Sequence, residues 1–93
     1  MTDTPVFADN TARSRFELTE NGFTSFASYR KHDTVVTIPH VETPAEARGT
    51  GAAGRLMAEV ALHARINKLK IVPVCSYAVA WFRRHPDYND VLE

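Results

Sequence analysis

The sequence changes its hydrophobic periodicity at Pro44, and this change constrains the fold more than any other feature. Before this proline, residues 15–19 alternate polar and apolar side chains, and residues 23–29 and 34–43 are rich in aromatic and β-branched residues. Such alternation is typical of β-strands. Asn21-Gly22 separates the first two segments and favours a hairpin turn, because both residues accept a positive φ. The simplest arrangement of this half is a three-stranded antiparallel meander.

After Pro44, apolar residues recur at helical spacing and predict a helix from about Gly51 to about Ile66. Asn67 is expected to end this helix in the left-handed conformation. Residues 71–74 then form a short apolar strand. Ser76 is predicted to cap a second helix over residues 77–84. The apolar stripe of the first helix consists of Ala53, Leu56, Met57, Val60, Ala61 and Ala64.

A strand, a loop, a helix and a second strand in this order form a crossover connection, which places the two strands parallel in one sheet. The sequence therefore predicts the α+β class, with a mixed sheet: an antiparallel meander followed by a helix, a parallel strand and a helix. We predict one domain over residues 11–93, preceded by a disordered tail over residues 1–10.

The composition excludes several classes of protein. Hydrophobic residues make up 44% of the chain and charged residues 24%, as in an ordinary globular domain. Eleven basic and eleven acidic side chains cancel, so we expect no non-specific nucleic-acid binding, and any bound anion must be held locally. One cysteine, Cys75, forms no internal disulfide and indicates a reducing compartment. Since no signal peptide or membrane-spanning segment is recognisable, we expect a cytoplasmic protein with no membrane partner.

The segment Arg48-Gly49-Thr50-Gly51-Ala52-Ala53-Gly54 connects the meander to the long helix. Glycines let the backbone approach a ligand, and the first helical turn leaves N–H groups that can bind an anion without a basic side chain. Three interpretations compete. The loop can simply turn the chain into the helix. It also fits the dinucleotide-binding pattern G-x-G-x-x-G, but the preceding strands look antiparallel and residues 61–85 contain no acidic residue for a ribose.

The third interpretation is a loop that binds the pyrophosphate of an acyl-CoA. Arg48 to Ala53 matches the signature (Arg or Gln)-x-x-Gly-x-(Gly or Ala), and here the sequence resembles the GNAT superfamily of N-acetyltransferases, in particular its minimal, single-domain members. The segments His-Val-Glu-Thr-Pro at 40–44, Ile-Val-Pro-Val-Cys-Ser-Tyr at 71–77 and Arg-Arg-His-Pro-Asp-Tyr at 83–88 resemble segments of those proteins. Ser76 and Ala78 depart from the proline and valine that are common there. The similarity covers roughly residues 16–92.

This resemblance implies acetyl-CoA as the cofactor. It also implies that two parallel strands separate at Pro73, which cannot donate a strand hydrogen bond, and that the acyl thioester enters the gap. Two arginines near the end of the second helix can reach a ribose phosphate, or can only complement the helix dipole. The implied cofactor-binding residues are Val41, Glu42 and Thr43 for the pantetheine arm, Arg48, Gly49, Thr50, Gly51, Ala52 and Ala53 for the pyrophosphate, and Arg83 and Arg84.

Acetyl transfer to an amine requires a neutral amine, a polarised carbonyl and a proton for the leaving thiolate. His40 is the first candidate for the general base, since the pKa of histidine lies near 6.5, although it can also be a strand-end residue without a chemical role. Glu42 is the second candidate. Cys75 can donate a proton, accept the acetyl group in a relay, or serve only as a small buried side chain. Tyr77 can act as the general acid, as tyrosine often does in the superfamily, or pack on the sheet.

Two functions remain open at this stage. One is an acetyl-CoA-dependent N-acetyltransferase whose amine acceptor, a protein or a small molecule, is unknown. The other is a non-catalytic acyl-CoA-binding or interaction module. A usual GNAT domain is about half as long again, and this chain lacks the helical segment that normally helps to shape the acceptor pocket. No pair of residues has metal-ligand spacing, and we expect a monomer or a weak dimer.

Overall fold

In the computed structural model, which describes residues 4–93, a five-stranded sheet forms the centre of the molecule. The strands lie side by side in chain order. The first four are antiparallel to their neighbours, and the fifth runs parallel to the fourth. The strands are β1 (Val6–Asn10), β2 (Arg15–Glu20), β3 (Phe23–His32), β4 (Val35–Glu42) and β5 (Lys70–Pro73). The predicted α+β class, with its mixed sheet, is confirmed.

The first strand shows that the predicted disordered tail over residues 1–10 is wrong. β1 pairs with β2 along its whole length, so the meander has four strands and the domain begins before residue 11. Phe7 packs against the core, and Tyr29 of β3 donates a hydrogen bond of 2.6 Å to Asp9. Burial and this hydrogen bond raise the pKa of Tyr29 to about 12. Residues 1–3, the rest of the predicted tail apart from its last link, lie outside the described residues.

The turn between β2 and β3 has the predicted form. Asn21 and Gly22 have φ angles of 51° and 82°, and Glu20 pairs with Phe23 across the turn. Two consecutive residues with positive φ match the twist of the flanking strands. The turn therefore places Glu20 at a defined position, at the end of β2.

Two helices follow the meander. The helix α1 (Ala52–Ile66) buries the predicted apolar stripe except for Ala53, which is half-buried, and α2 (Ser76–Arg84) buries Trp81 and Phe82. Short 3₁₀ helices precede α1 (Ala45–Ala47) and follow α2 (Pro86–Val91). Among the described residues, no helix has the length and apolar character needed to cross a membrane.

Two of the predicted helix caps are wrong in detail. Cys75, rather than Ser76, is the N-cap of α2, because its Sγ accepts a hydrogen bond of 3.3 Å from the N–H of Ala78. Asn67 does end α1, but its φ is −95°, and the left-handed conformation falls on Lys68, with a φ of 58°. Asn67 instead donates its side-chain amide to the carbonyl oxygen of His63 at 2.8 Å.

The helices pack on one face of the sheet and leave the other face uncovered. The covered face carries the buried side chains Phe16, Leu18, Ser25, Ala27, Tyr29, Val36, Ile38 and Ile71. The uncovered face is mainly polar and only partly buried, with Arg15, Thr24, Ser28 and His40 among its residues. The fold is therefore a two-layer arrangement whose second sheet face is accessible.

Candidate functional site

The loop between β4 and α1 adopts a conformation that requires glycine at two positions. Gly49 and Gly51 have φ angles of 81° and 85°, and Gly51 is the N-cap of α1. In this left-handed region, a side chain costs about 1–2 kcal/mol. No side chain caps the N-terminus of α1. The first turn of the helix is therefore accessible to a ligand.

Main-chain donors cluster at this helix start. The donors without a hydrogen-bond acceptor within residues 4–93 are the N–H groups of Gly49, Gly51, Ala52, Ala53 and Gly54. The hydrogen bonds of the helix begin with the N–H of Arg55, which donates to the carbonyl oxygen of Gly51 at 3.0 Å. Thr50 is the exception inside the predicted set, since its N–H donates to the carbonyl oxygen of Ala47 at 3.4 Å. Unpaired donors at the positive end of a helix dipole form an anion site.

These donors border a cleft of about 270 Å³. Thr43, at the end of β4, and Tyr77, in the first turn of α2, line the same cleft. The Oγ1 atom of Thr43 is buried and has no hydrogen-bond partner in the part of the chain that the structure describes. Because an unpaired buried hydroxyl costs about 1–3 kcal/mol, this atom indicates a polar ligand group in the cleft.

Arg48 connects the loop to the end of the strand. Its Nε donates to the carbonyl oxygen of Thr43 at 3.2 Å, and the side chain is otherwise exposed. Val41 is half-buried against the core, whereas Glu42 is exposed. The structure thus brings Thr43, Arg48 and the glycine loop together, and Val41 and Glu42 precede them on the same strand.

The strands β4 and β5 separate halfway along β4. Their pairing ends where Ile38 faces Pro73, as the resemblance implied. The N–H groups of Val74 and Cys75 both donate to the carbonyl oxygen of Ile38, at 3.0 and 3.2 Å, and the chain then enters α2. β4 continues to Glu42 beside β3 alone, so its other edge faces a gap between the described strands.

His40 lies on this part of β4, on the uncovered face of the sheet, opposite Ser28 of β3. Its Nε2 is 3.1 Å from Oε1 of Glu42, and both side chains are about half exposed, at 55% and 53%. A carboxylate only accepts hydrogen bonds, so Nε2 carries the proton of the neutral ring and Nδ1 keeps its lone pair. The two candidate bases therefore form one unit, in which Glu42 orients His40.

Cys75 and Tyr77 lie at the N-terminus of α2. Cys75 is half-buried, and its Sγ is engaged as the helix cap. Burial raises the pKa of Tyr77 above its usual 10, an effect that Arg84 opposes and Cys75 reinforces. A phenol of raised pKa stays protonated at neutral pH and can donate a proton to a leaving group.

The two candidate arginines of α2 point to different surfaces. Arg84 lines a second cleft, of about 540 Å³, together with Gly51 and Gly54 of the loop region. Arg83 lines another surface, with Pro73 and Pro86. Only Arg84 therefore lies on the side of the glycine loop.

Sequence reasoning missed Arg55 and Glu20. The Nε and Nη2 atoms of Arg55 donate to the two carboxylate oxygens of Glu20, at 2.7 and 3.1 Å, and its Nη1 donates to the carbonyl oxygen of Thr50 at 2.9 Å. The hydrogen bonds to Glu20 raise the pKa of Arg55. The pair is 35 residues apart, so no local pattern in the sequence reveals it.

Comparisons with known proteins agree with this geometry. A family model described as GCN5-related N-acetyltransferase matches residues 15–91, which include the loop and all the candidate catalytic residues. The NMR solution structure of a GCN5-like candidate N-acetyltransferase from Staphylococcus aureus is similar, with a TM-score of 0.65 and 27% identity. The match covers 95% of this chain and 87% of that chain. No curated protein sequence matches the chain significantly.

Proposed function

The chain belongs to the family of GCN5-related N-acetyltransferases, and from this premise we propose that it transfers the acetyl group of acetyl-CoA to an amine. The family match supports acetyltransferase activity in general. The use of acetyl-CoA by this chain is argued below from its own residues.

One observation carries the proposal: unpaired main-chain donors and the partnerless hydroxyl of Thr43 border the same cleft at the start of α1. A diphosphate offers several acceptor oxygens and two negative charges, which these donors and the helix dipole stabilise. The chain has no net charge, so this local arrangement explains how it can attract a highly charged ligand. The residues present therefore fit the pyrophosphate of acetyl-CoA.

The proposed chemistry uses the gap between β4 and β5. Acetyl-CoA supplies an activated thioester, whose carbonyl carbon is attacked by the neutral amine. We assign to Nδ1 of His40 the role of accepting the proton of the amine, and to Tyr77 the role of protonating the thiolate as the carbon–sulfur bond breaks. Cys75, with its sulfur at the start of α2, remains the candidate for a two-step relay.

Binding can be tested by titrating the isotope-labelled protein with acetyl-CoA and following the backbone amide shifts. We expect the largest changes at Gly49 and at residues 51–54, because their N–H groups would gain charged acceptors. Thr50, whose N–H is already bonded, should move less than its neighbours. If the largest changes lie on a different surface, the assignment of the loop is wrong.

The substitution His40→Gln is expected to lower kcat by about tenfold while acetyl-CoA binding persists, because an exposed base can be partly replaced by water. The measurement is steady-state acetyl transfer to a panel of primary amines. His32→Gln is the matched control, since His32 is also an exposed histidine beside a carboxylate, at 3.6 Å from Asp33. Equal kcat values for the two variants would contradict the role of His40.

The same assay separates the two functions that the sequence left open. A catalyst gives turnover with at least one amine of the panel. A non-catalytic acyl-CoA-binding module would bind acetyl-CoA at the loop but acetylate none of the amines.

A further inference from the structure

The side chain of Arg55 lies across the first turn of α1 and is fully engaged there. Two of its nitrogens bond to the carboxylate of Glu20, and the third donates to the carbonyl oxygen of Thr50. A methyl group built on Gly51 would lie 3.0 Å from Nη1 of Arg55, so the guanidinium passes directly over this glycine. All three nitrogens have protein partners, so the guanidinium is committed to the loop and to β2.

The hydrogen bond to Thr50 determines the orientation of one peptide group. The carbonyl of Thr50 and the N–H of Gly51 belong to the same trans peptide, in which these two groups point in opposite directions. Arg55 holds the carbonyl on its own side of the loop. The N–H of Gly51 therefore points to the other side, where it is one of the unpaired donors that border the cleft.

Glycine makes such an orientation necessary. Without a Cβ atom, the backbone around Gly51 has access to more conformations than any other residue would allow. A loop of this kind presents its N–H groups to an anion only if another interaction selects the right conformation. The Arg55 side chain supplies that interaction, and Glu20 keeps it in place.

Glu20 is well placed for this task. It ends β2 at the tight turn, and its side chain is only 14% exposed, whereas that of Arg55 is 50% exposed. The bidentate geometry defines the plane of the guanidinium as well as its position. The sheet thus controls the anion loop through a single ion pair.

We propose that Glu20 and Arg55 are positioning residues, which orient the Thr50–Gly51 peptide so that the N–H of Gly51 faces the pyrophosphate of acetyl-CoA. This inference rests on the proposed function. In it, neither residue touches the cofactor. The pair acts through the main chain of the loop.

The test uses Glu20→Gln, which keeps the shape of the side chain but removes its charge and one hydrogen-bond acceptor. Affinity for acetyl-CoA and for inorganic pyrophosphate is expected to fall by about tenfold, the value of one well-oriented hydrogen bond to a charged group. The ligand-induced shift of the Gly51 amide should shrink in the same variant. Arg55→Lys should have a similar effect, because a lysine keeps the charge but cannot bond to both partners in this geometry.

A matched ion pair at the other end of α1 provides the control. Arg65 also donates two hydrogen bonds to a carboxylate, that of Asp90, and a further one to the carbonyl oxygen of Asp87. Asp90→Asn should therefore lose a comparable tertiary contact without changing the affinity for either ligand. A purely structural role of Glu20 would give the two variants the same affinity, which would overturn the inference.

The remaining outcomes are also decisive. Tighter binding by Glu20→Gln would mean that Glu20 restrains Arg55 from contacting the phosphate directly, and would overturn the positioning role. If the unmodified protein binds pyrophosphate but not acetyl-CoA, the proposed function fails while the role of the pair is still measured. If it binds neither, the anion site and this inference fail together.

Discussion

Gly49→Asp should weaken acetyl-CoA binding by about a hundredfold, whereas Gly49→Asn should retain most of the affinity. A carboxylate about 5 Å from a phosphate charge is repelled by about 3 kcal/mol at an effective dielectric constant of about 20, which corresponds to about two orders of magnitude in Kd. Gly49 borders the cleft, and a methyl group built there meets nothing within 4 Å, so both side chains have room. The measurement is calorimetric titration with acetyl-CoA.

The asparagine variant separates charge from conformation. The φ of Gly49 is 81°, and aspartate and asparagine are the non-glycine residues that enter the left-handed region most readily. Both variants thus carry a similar conformational cost and nearly the same volume. Raising the salt concentration should narrow the difference between them, because screening weakens the repulsion. Equal affinities at low salt would show that the phosphates lie away from Gly49.

The anion loop could be anticipated from the sequence because it depends on local properties of the backbone. Glycines at 49 and 51 followed by a helical stripe predict unpaired N–H groups wherever the rest of the chain lies. The exception at Thr50 could not be anticipated, since its N–H bonds to Ala47 only because residues 45–47 form a 3₁₀ helix. Which donors are available is therefore a finding of the structure.

The strands differ in the same way. The turn at Asn21-Gly22 gives β2 and β3 a strong local signal, and the structure confirms their hairpin. β1 has no such signal, because its stability comes from pairing with β2 and from the contact of Asp9 with Tyr29, which is 20 residues away. The ion pair of Glu20 and Arg55 escaped prediction for the same reason. Contacts between distant residues are the part of a fold that a local reading of one sequence misses.

The caps of α2 illustrate a finer limit. Serine is among the most common N-cap residues and cysteine is not, so propensity favours Ser76. The structure instead places Cys75 at the cap, because the chain leaves β5 with its last two N–H groups bonded to Ile38. Tertiary pairing thus shifts the helix start by one residue. The shift also moves Tyr77 into the first turn, beside the cleft.

Tyr77→Phe should lower kcat for acetyl transfer by about a hundredfold and leave the affinity for acetyl-CoA nearly unchanged, because it removes a proton donor but keeps the ring. Steady-state kinetics across a pH series, together with acetyl-CoA titration, measures both effects. The general acid must be protonated, so activity that depends on it is present below its pKa and lost as the pH rises through that value. Since burial raises the pKa of Tyr77 above 10, its alkaline limit should lie above pH 10.

Tyr88→Phe is the matched control for this prediction. The ring of Tyr88 packs beside Trp81, at 5.5 Å between centroids, and under the guanidinium of Arg65, and its family resemblance carries no proposed chemistry. Removing its hydroxyl should therefore leave kcat unchanged. A similar loss of kcat in both variants would indicate a general effect of the helix packing. An unchanged kcat in Tyr77→Phe would leave the thiolate to be protonated by Cys75 or by water, and Cys75→Ser would then be the variant that loses activity.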